Sequence, residues 1–540
     1  MKKRTHPLMI WAAILQGILY GFAGQAASQV LPAATERAGI DSSRIPTSSL
    51  NPHPDRLEIG LEEVLSIGDL SDDALFMWAG VAADTLGNIY VTDAMDYSLK
   101  KFDSSGRLVK RTGQKGQGPG EFTAPRLLAA SDRYLFVTDQ SRSGIQMFDR
   151  DLGFVAHIPF TLPISDLAAL SDELLAVTPL SIGGAGQVVF LKTSGEVQKK
   201  IHYAASQNAL TLRNVAEIEI DDQGYVYLAY SFKDRIEKWS PKGANIWSRR
   251  LLKTEDVKEK KVMQFSVPTE VLYKSVTRDS TGRIYVLSGN RTSHPSRDVF
   301  VLDRDGKHLT TFVLPEPSHC IYIDVRNRLY TRANEGVTLK IYRLLFSKSP
   351  QGPGDAWMLS HAPQGPSSAS PPNFYPRIPA TSSAPIPAMT SSHFPPAIPL
   401  KIPPIGVPRP PLLIFLIDFN DFMCPACLDS LLSLCRTLPP PILRKHVWGF
   451  VILPQSIPPG SDPVAIQIME KKIRGFRRAN RIAFPLILDR SRLLSGASRQ
   501  GTTLLLLEVQ PPSASLFPLP LSRRDLIRIV DLWSPLDDAF

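Results

Sequence analysis

A recurring pair of short strands constrains this chain more than any other feature. An acidic turn and an alternating strand, Ala83-Asp84-Thr85-Leu86-Gly87-Asn88-Ile89-Tyr90-Val91-Thr92-Asp93, lead to Leu99-Lys100-Lys101-Phe102 and a second turn, Asp103-Ser104-Ser105-Gly106. The pair returns at 134–139 with 145–150, 174–178 with 188–191, 221–228 with 236–240, 279–286 with 299–303, and 324–330 with 339–342. Six units at intervals of roughly 40–55 residues fit a radial β repeat, not a sandwich or a helical solenoid. A lone four-stranded blade cannot bury both faces, whereas a closed ring covers each face with a neighbour. A strand from Arg56 to Ile67 is placed to complete the last blade and close the ring. The propeller is expected over 55–345.

Outside the ring the composition changes twice. Lys2, Lys3 and Arg4 precede an apolar run from Leu8 to Phe22 and small residues at Ala23 to Ser28. This reads as a secretory signal over 1–27, and the run is short for a membrane span of about 20 residues. The protein is expected in the periplasm or outside the cell, either released by cleavage or anchored by an uncleaved signal. The 47 prolines exceed the usual share of about 5%. They concentrate in 346–411, a Pro-rich segment that can neither pair in a sheet nor continue a helix and so reads as a disordered tether.

From 412 to 535 the pattern becomes α/β. Leu412 to Asp418 is a continuous apolar strand, Leu428 to Leu438 a helix, Val447 to Leu453 a strand, and Ala465 to Ala479 a helix with a basic face. Phe484 to Asp489 and Thr503 to Glu508 are further strands, and Ser522 to Trp533 a closing helix. At the first strand-to-helix junction stands Cys424-Pro425-Ala426-Cys427. A helix N-terminus stabilises a thiolate and lowers a cysteine pKa from about 8.5 to roughly 3.5–7.5. Cys427 lies one turn on, so the two sulfurs can meet: Cys424 would attack and Cys427 resolve the mixed disulfide. A structural disulfide between them stays open. Haem attachment is excluded because Leu428 follows the motif. Zinc would need more than Cys435 and distant His446.

Other candidates read as structural. Asp84, Asp93, Asp139 and Asp279 read as turn caps, not cation ligands. Gly113 to Phe122 reads as a turn between blades, because it lacks a phosphate loop's Gly-Lys-Ser/Thr ending. His53, His157, His202, His294, His308 and His319 are scattered, and Cys320 reads as a buried, inert thiol. Arg249, Arg250, Lys253, Lys258, Lys260 and Lys261 read as a solvated patch. Lys471, Lys472, Arg474, Arg477, Arg478 and Arg481 read as a solvated helix face, one that suits proximity to an anionic membrane; export removes nucleic acid as a partner. No acid/base constellation for a propeller enzyme is visible.

The repeats, with Gly80 to Phe148 closest, resemble the NHL-repeat family of six-bladed β-propellers, which implies a binding platform. The C-terminal region resembles the thioredoxin-like superfamily in its thiol–disulfide oxidoreductase branch. That resemblance implies a redox-active disulfide at Cys424 and Cys427, protein thiols or disulfides as partners, and no cofactor or metal. Two family features are missing. Gly501-Thr502-Thr503 holds no proline where a cis-proline shapes the substrate groove, and Met423 stands before the first cysteine where the family often has Trp; separately, Asp421 in place of a peroxidase's Thr argues against peroxidase activity. The expected whole is multidomain: an all-β six-bladed propeller, a Pro-rich linker and an α/β thioredoxin-like domain. Its expected function is thiol–disulfide exchange, with the propeller binding a protein or small molecule. The alternative is a non-enzymatic scaffold with a degenerate module.

Overall fold

A computed structural model describes residues 57–139, 143–180, 186–204, 212–262, 265–348, 412–418, 425–453, 463–490, 503–509 and 512–518. The signal expected at 1–27 and the closing helix expected from Ser522 to Trp533 lie outside these residues, as does the tether expected at 346–411 except for 346–348, which instead finish the strand Thr338–Lys348 because they pair with Leu57–Ile59.

Each repeat is a four-stranded antiparallel sheet, and six of them make a ring. The expected strand pairs are the second and third strands of every blade, such as Ile89–Asp93 with Ser98–Phe102. Those strands are buried on both faces, which is why their sequences are so apolar. Alternation divides their side chains between two neighbours. In blade 1, Ile89 and Val91 pack with Tyr330, Leu339 and Ile341 of blade 6. Tyr90 points the other way, into a core with Leu135, Val137 and Phe148 of blade 2. The same division joins blades 2 to 3, 3 to 4, 4 to 5 and 5 to 6.

Leu57–Ile67 pairs antiparallel with Thr338–Lys348 and supplies the outer strand of blade 6. The chain thus closes its own ring: the first strand of the propeller and the last share one sheet. Trp78 Nε1 adds a clasp across the seam by donating to the Thr338 carbonyl at 2.9 Å. A short hairpin, Glu259–Val262 with Phe265–Pro268, is inserted between blades 4 and 5.

The Asp turns recur with the same hydrogen bonds. Asp279 Oδ1 accepts from the backbone N–H of Thr281 and Arg283, and Oδ2 accepts from the Tyr285 hydroxyl at 2.9 Å. Asp84 with Tyr90, Asp221 with Tyr227 and Asp324 with Tyr330 repeat the tyrosine bond. Asp93 accepts from the N–H of Phe76, Met77 and Met95, and Asp139 from those of Thr123 and Ala124. The Gly-rich stretch is a turn between blades. Gly113, at φ +97°, lies against the buried Phe122 ring, and Gly118 N–H donates to Glu121 Oε2 at 2.8 Å.

The C-terminal unit is a five-stranded mixed sheet. Leu412–Asp418 is its central strand, parallel to Val447–Ile452, which is parallel to Leu486–Asp489. Thr503–Val509 runs antiparallel on the other side and pairs with Pro512–Pro518, a strand the sequence did not announce. Helices α1 (Pro425–Thr437), α2 (Pro440–His446) and α3 (Pro463–Ala479) fill the crossovers. Among the described residues no helix is long and apolar enough to cross a membrane.

Candidate functional site

Cys424 lies outside the described residues. Cys427 falls in the first turn of α1, immediately after the central strand and its connection. The other thiols sit elsewhere. Burial pushes Cys435 up to about 12 and Cys320 up to about 11. No group of three or more His, Cys, Asp or Glu side chains suited to a metal ion occurs among the described residues. Arg249, Arg250, Lys253, Lys258, Lys260 and Lys261 are exposed.

Closure of the ring creates a site that the sequence concealed. The first strand of each blade is an open sheet edge, and these edges touch one another in turn around the axis. They are Trp78–Ala83, Pro125–Ala130, Ile164–Ala169, Ala216–Ile220, Tyr273–Arg278 and Ile321–Ile323. Their half-buried side chains include Arg126, Asp166, Glu217, Glu219, Lys274 and Arg278. His319 and Cys320 enter just before the last of these strands, and Arg332 projects from the strand beside it, Arg328–Ala333.

Asp166 and Glu217 hydrogen-bond to one another across blades 3 and 4. Two carboxyls in contact cannot both ionise cheaply, so the pair retains a proton. Burial lifts Asp166 to about 6, against backbone N–H bonds from Ile218 (2.7 Å) and Leu167 (2.8 Å) and the charge of Arg126. Burial and then the Asp166 charge hold Glu217 well above the usual carboxylate range. Burial also lifts Glu219 to about 7, although Arg278 Nε lies 3.7 Å away.

Blades 5 and 6 carry the opposite charge. Lys274 donates to Ser296 Oγ at 2.7 Å, and burial brings its ammonium down to about 8. His319 is held well below its ordinary value by burial, reinforced by Lys274, Arg332 and Lys472. The channel therefore carries proton-holding carboxyls on blades 3 and 4, with Arg126 and Arg278 beside them, and Lys274, His319 and Arg332 on blades 5 and 6. Ring closure brings these titratable groups together from strands far apart in the sequence.

The C-terminal unit docks on the face where the first strands begin. Phe76 and Met95 of the propeller join the core of the α/β unit. Gly475 on α3 makes room, since a Cβ there would stand 2.4 Å from Phe76 Cγ. Lys471 is fully buried and donates to the Asp69 carbonyl, to Asp72 Oδ1 at 3.1 Å and to the Val337 carbonyl at 3.5 Å. Lys472 pairs with Glu335 at 2.7 Å, while Arg474 and Arg478 face Asp73 at 3.7 and 3.6 Å. The part of the basic face formed by Lys471 and Lys472 is thus a buried interdomain contact, whereas Arg474, Arg477, Arg478 and Arg481 stay exposed as a solvated face would. The physical reason is the acidic loop at Asp69, Asp72 and Asp73, whose charge α3 matches.

Residues 71–263 match the model of a family described as DUF5128, a 6-bladed β-propeller. No curated protein matches the chain. Among solved structures, it is similar to a DUF4221-family protein from Bacteroides vulgatus, at 11% identity and TM-score 0.42, over 55% of this chain and 100% of that one. A protein of unknown function from Bacteroides thetaiotaomicron is 12% identical, at TM-score 0.39 over 54% and 76% of the two chains. A streptogramin B lyase is 11% identical, at TM-score 0.35 over 54% and 98%.

Proposed function

We propose that the chain is an exported protein in which an NHL-like propeller binds a partner or ligand and a tethered thioredoxin-like domain exchanges thiols and disulfides at Cys424 and Cys427. One observation carries the reading: α1 starts at Pro425, directly after the connection from the central parallel strand, with Cys427 in its first turn. A cysteine at such a helix start is favoured as thiolate by the free N–H groups and the helix dipole. The propeller contributes a ring with a charged channel, and the tether keeps the redox domain at high effective concentration beside whatever the ring binds.

The test is the reduction potential and exchange activity of the full chain. A potential between about −270 and −120 mV, with exchange lost in Cys424→Ser, supports the redox role. A pair below about −300 mV with no exchange leaves the second reading, a binding scaffold with a structural disulfide. The absence of proline in Gly501-Thr502-Thr503 favours that second reading. Export is tested separately, by whether residues 1–27 carry a reporter across the membrane.

A further inference from the structure

We propose that the channel mouth beneath α3 binds a small anion, its carboxylate or phosphate oxygens held by Lys274, His319, Arg332 and Lys472. The proposal rests on the reading of the propeller as a binding platform and names the chemistry of what it binds.

Four separate elements bring these side chains together. Lys274 begins on the inner strand of blade 5, His319 precedes that of blade 6, Arg332 stands on the next strand, and Lys472 comes from α3. They are near enough that Lys274, Arg332 and Lys472 all act on the His319 ring. Two carboxylates lie near these cations, and both have other partners or contact solvent. Glu335 pairs with Lys472, but its side chain is 54% exposed. Asp93, the other carboxylate that Arg332 feels, is already bonded to Lys100 at 2.8 Å.

Arg332 gives a second and independent sign. Its Nε is shielded from solvent and has no hydrogen-bond partner among the described residues. The guanidinium lies 5.8 Å from the centre of the Trp78 ring and packs over Gly336, where a Cβ would come within 2.5 Å of Nε. Aromatic stacking and a missing side chain hold the planar group in place without satisfying its Nε. A buried donor left unpaired is costly, and a guanidinium is the donor best matched to carboxylate or phosphate oxygens. An arriving anion would supply the acceptor. It would also favour the imidazolium form of His319, turning a neutral ring into a further donor. Cys320 feels Arg332 and Lys274 as well as Glu217 and Asp166.

The experiment titrates the full chain near neutral pH and low salt with orthophosphate and, separately, with succinate, by calorimetry. The His319 ring is followed by NMR in parallel. The expected result is one equivalent of saturable binding of at least one probe and a rise in the His319 pKa on binding. Arg332→Met and Lys274→Met should each weaken it by about tenfold or more. Arg249→Met, in the exposed patch on blade 4, should bind as wild type. The probe that binds more tightly identifies the anion as carboxylate or phosphate. Absence of saturable binding of both probes overturns the proposal, as does binding that survives Arg332→Met and Lys274→Met. If Arg332→Met fails to fold, Lys274→Gln and the His319 titration decide. Thiol exchange by the same preparation is independent, so a chain that exchanges thiols but binds neither anion loses only this proposal.

Discussion

Asp279 and Glu219 stand on the same ring, both withdrawn from solvent, and their carboxyls behave in opposite ways. Asp279 accepts from two backbone N–H groups, the Thr281 hydroxyl, Arg283 Nε at 2.7 Å and the Tyr285 hydroxyl. Burial pushes its carboxyl up, but those donors outweigh burial and hold it below the usual range. Glu219 has the N–H of Ile220, the Thr277 hydroxyl and a more distant Arg278, and burial prevails. The charge state of a buried acid is therefore set by the depth of its burial together with the number of donors turned toward it. The Asp turns place those donors by their own geometry, whereas an extended strand edge along the channel offers few.

Removing a saturated carboxylate gives the largest expected effect. Asp279→Ala leaves the N–H groups of Thr281 and Arg283 and the Tyr285 hydroxyl without their acceptor, at a cost of about 3 kcal/mol. Tyr285→Phe removes one donor only and should cost about 1 kcal/mol. Urea unfolding of both variants measures the difference. Equal costs would mean that the turn is held by something other than Asp279.

The channel should respond with the opposite sign. Its carboxyls have folded pKa values raised above their unfolded ones, about 6 for Asp166 and about 7 for Glu219. The native state then keeps protons that the unfolded chain has released. The stability these groups contribute is fully present below the ordinary carboxylate range and is lost as pH rises through those values. Lys274 runs the other way: depressed to about 8, it destabilises while protonated, and that penalty is relieved as pH rises through 8 toward the ordinary lysine range. Glu219→Gln should leave stability nearly unchanged near pH 5 and raise it by about 2 kcal/mol near pH 8. Unfolding midpoints across that range check it, and a variant with the wild-type pH slope would break the contrast with Asp279.

The sequence announced the middle strands of every blade because burial on two faces leaves an apolar signature, as in Ile89-Tyr90-Val91. The first strands carry no such signature. Ala216-Glu217-Ile218-Glu219-Ile220 reads as an ordinary half-exposed strand, and only a closed ring sets Glu217 against Asp166 of the preceding blade. His319 looked scattered for the same reason, since its charged neighbours come from Lys274, Arg332 and Lys472. The basic face of α3 was visible, but its destination was not. Lys471 and its partner Asp69 are 402 positions apart, and no local pattern links them. The Cys424-Pro425-Ala426-Cys427 motif is the reverse case: its spacing is local and visible in the sequence, and the exchange proposed for it starts from that spacing.

The contact between α3 and the propeller places a third kind of charge beside the other two. Lys471 is fully enclosed and spends its hydrogen bonds on two carbonyls and Asp72, like the saturated Asp turns with the sign reversed. Lys472 is nearly as enclosed, at 7% exposure, but its partner Glu335 faces solvent, so water and salt screen the pair. The Lys472 charge, with burial working against it, holds Glu335 below the ordinary glutamate range. Glu335→Gln should therefore loosen the docked α3 by only about 0.5 kcal/mol, and about 0.5 M salt should produce the same loosening in the wild type. Hydrogen exchange along α3 reads both. If Glu335→Gln frees the helix as fully as Lys471→Met does, the two lysines are not in different settings, and the distinction between saturated and screened charge fails at this interface.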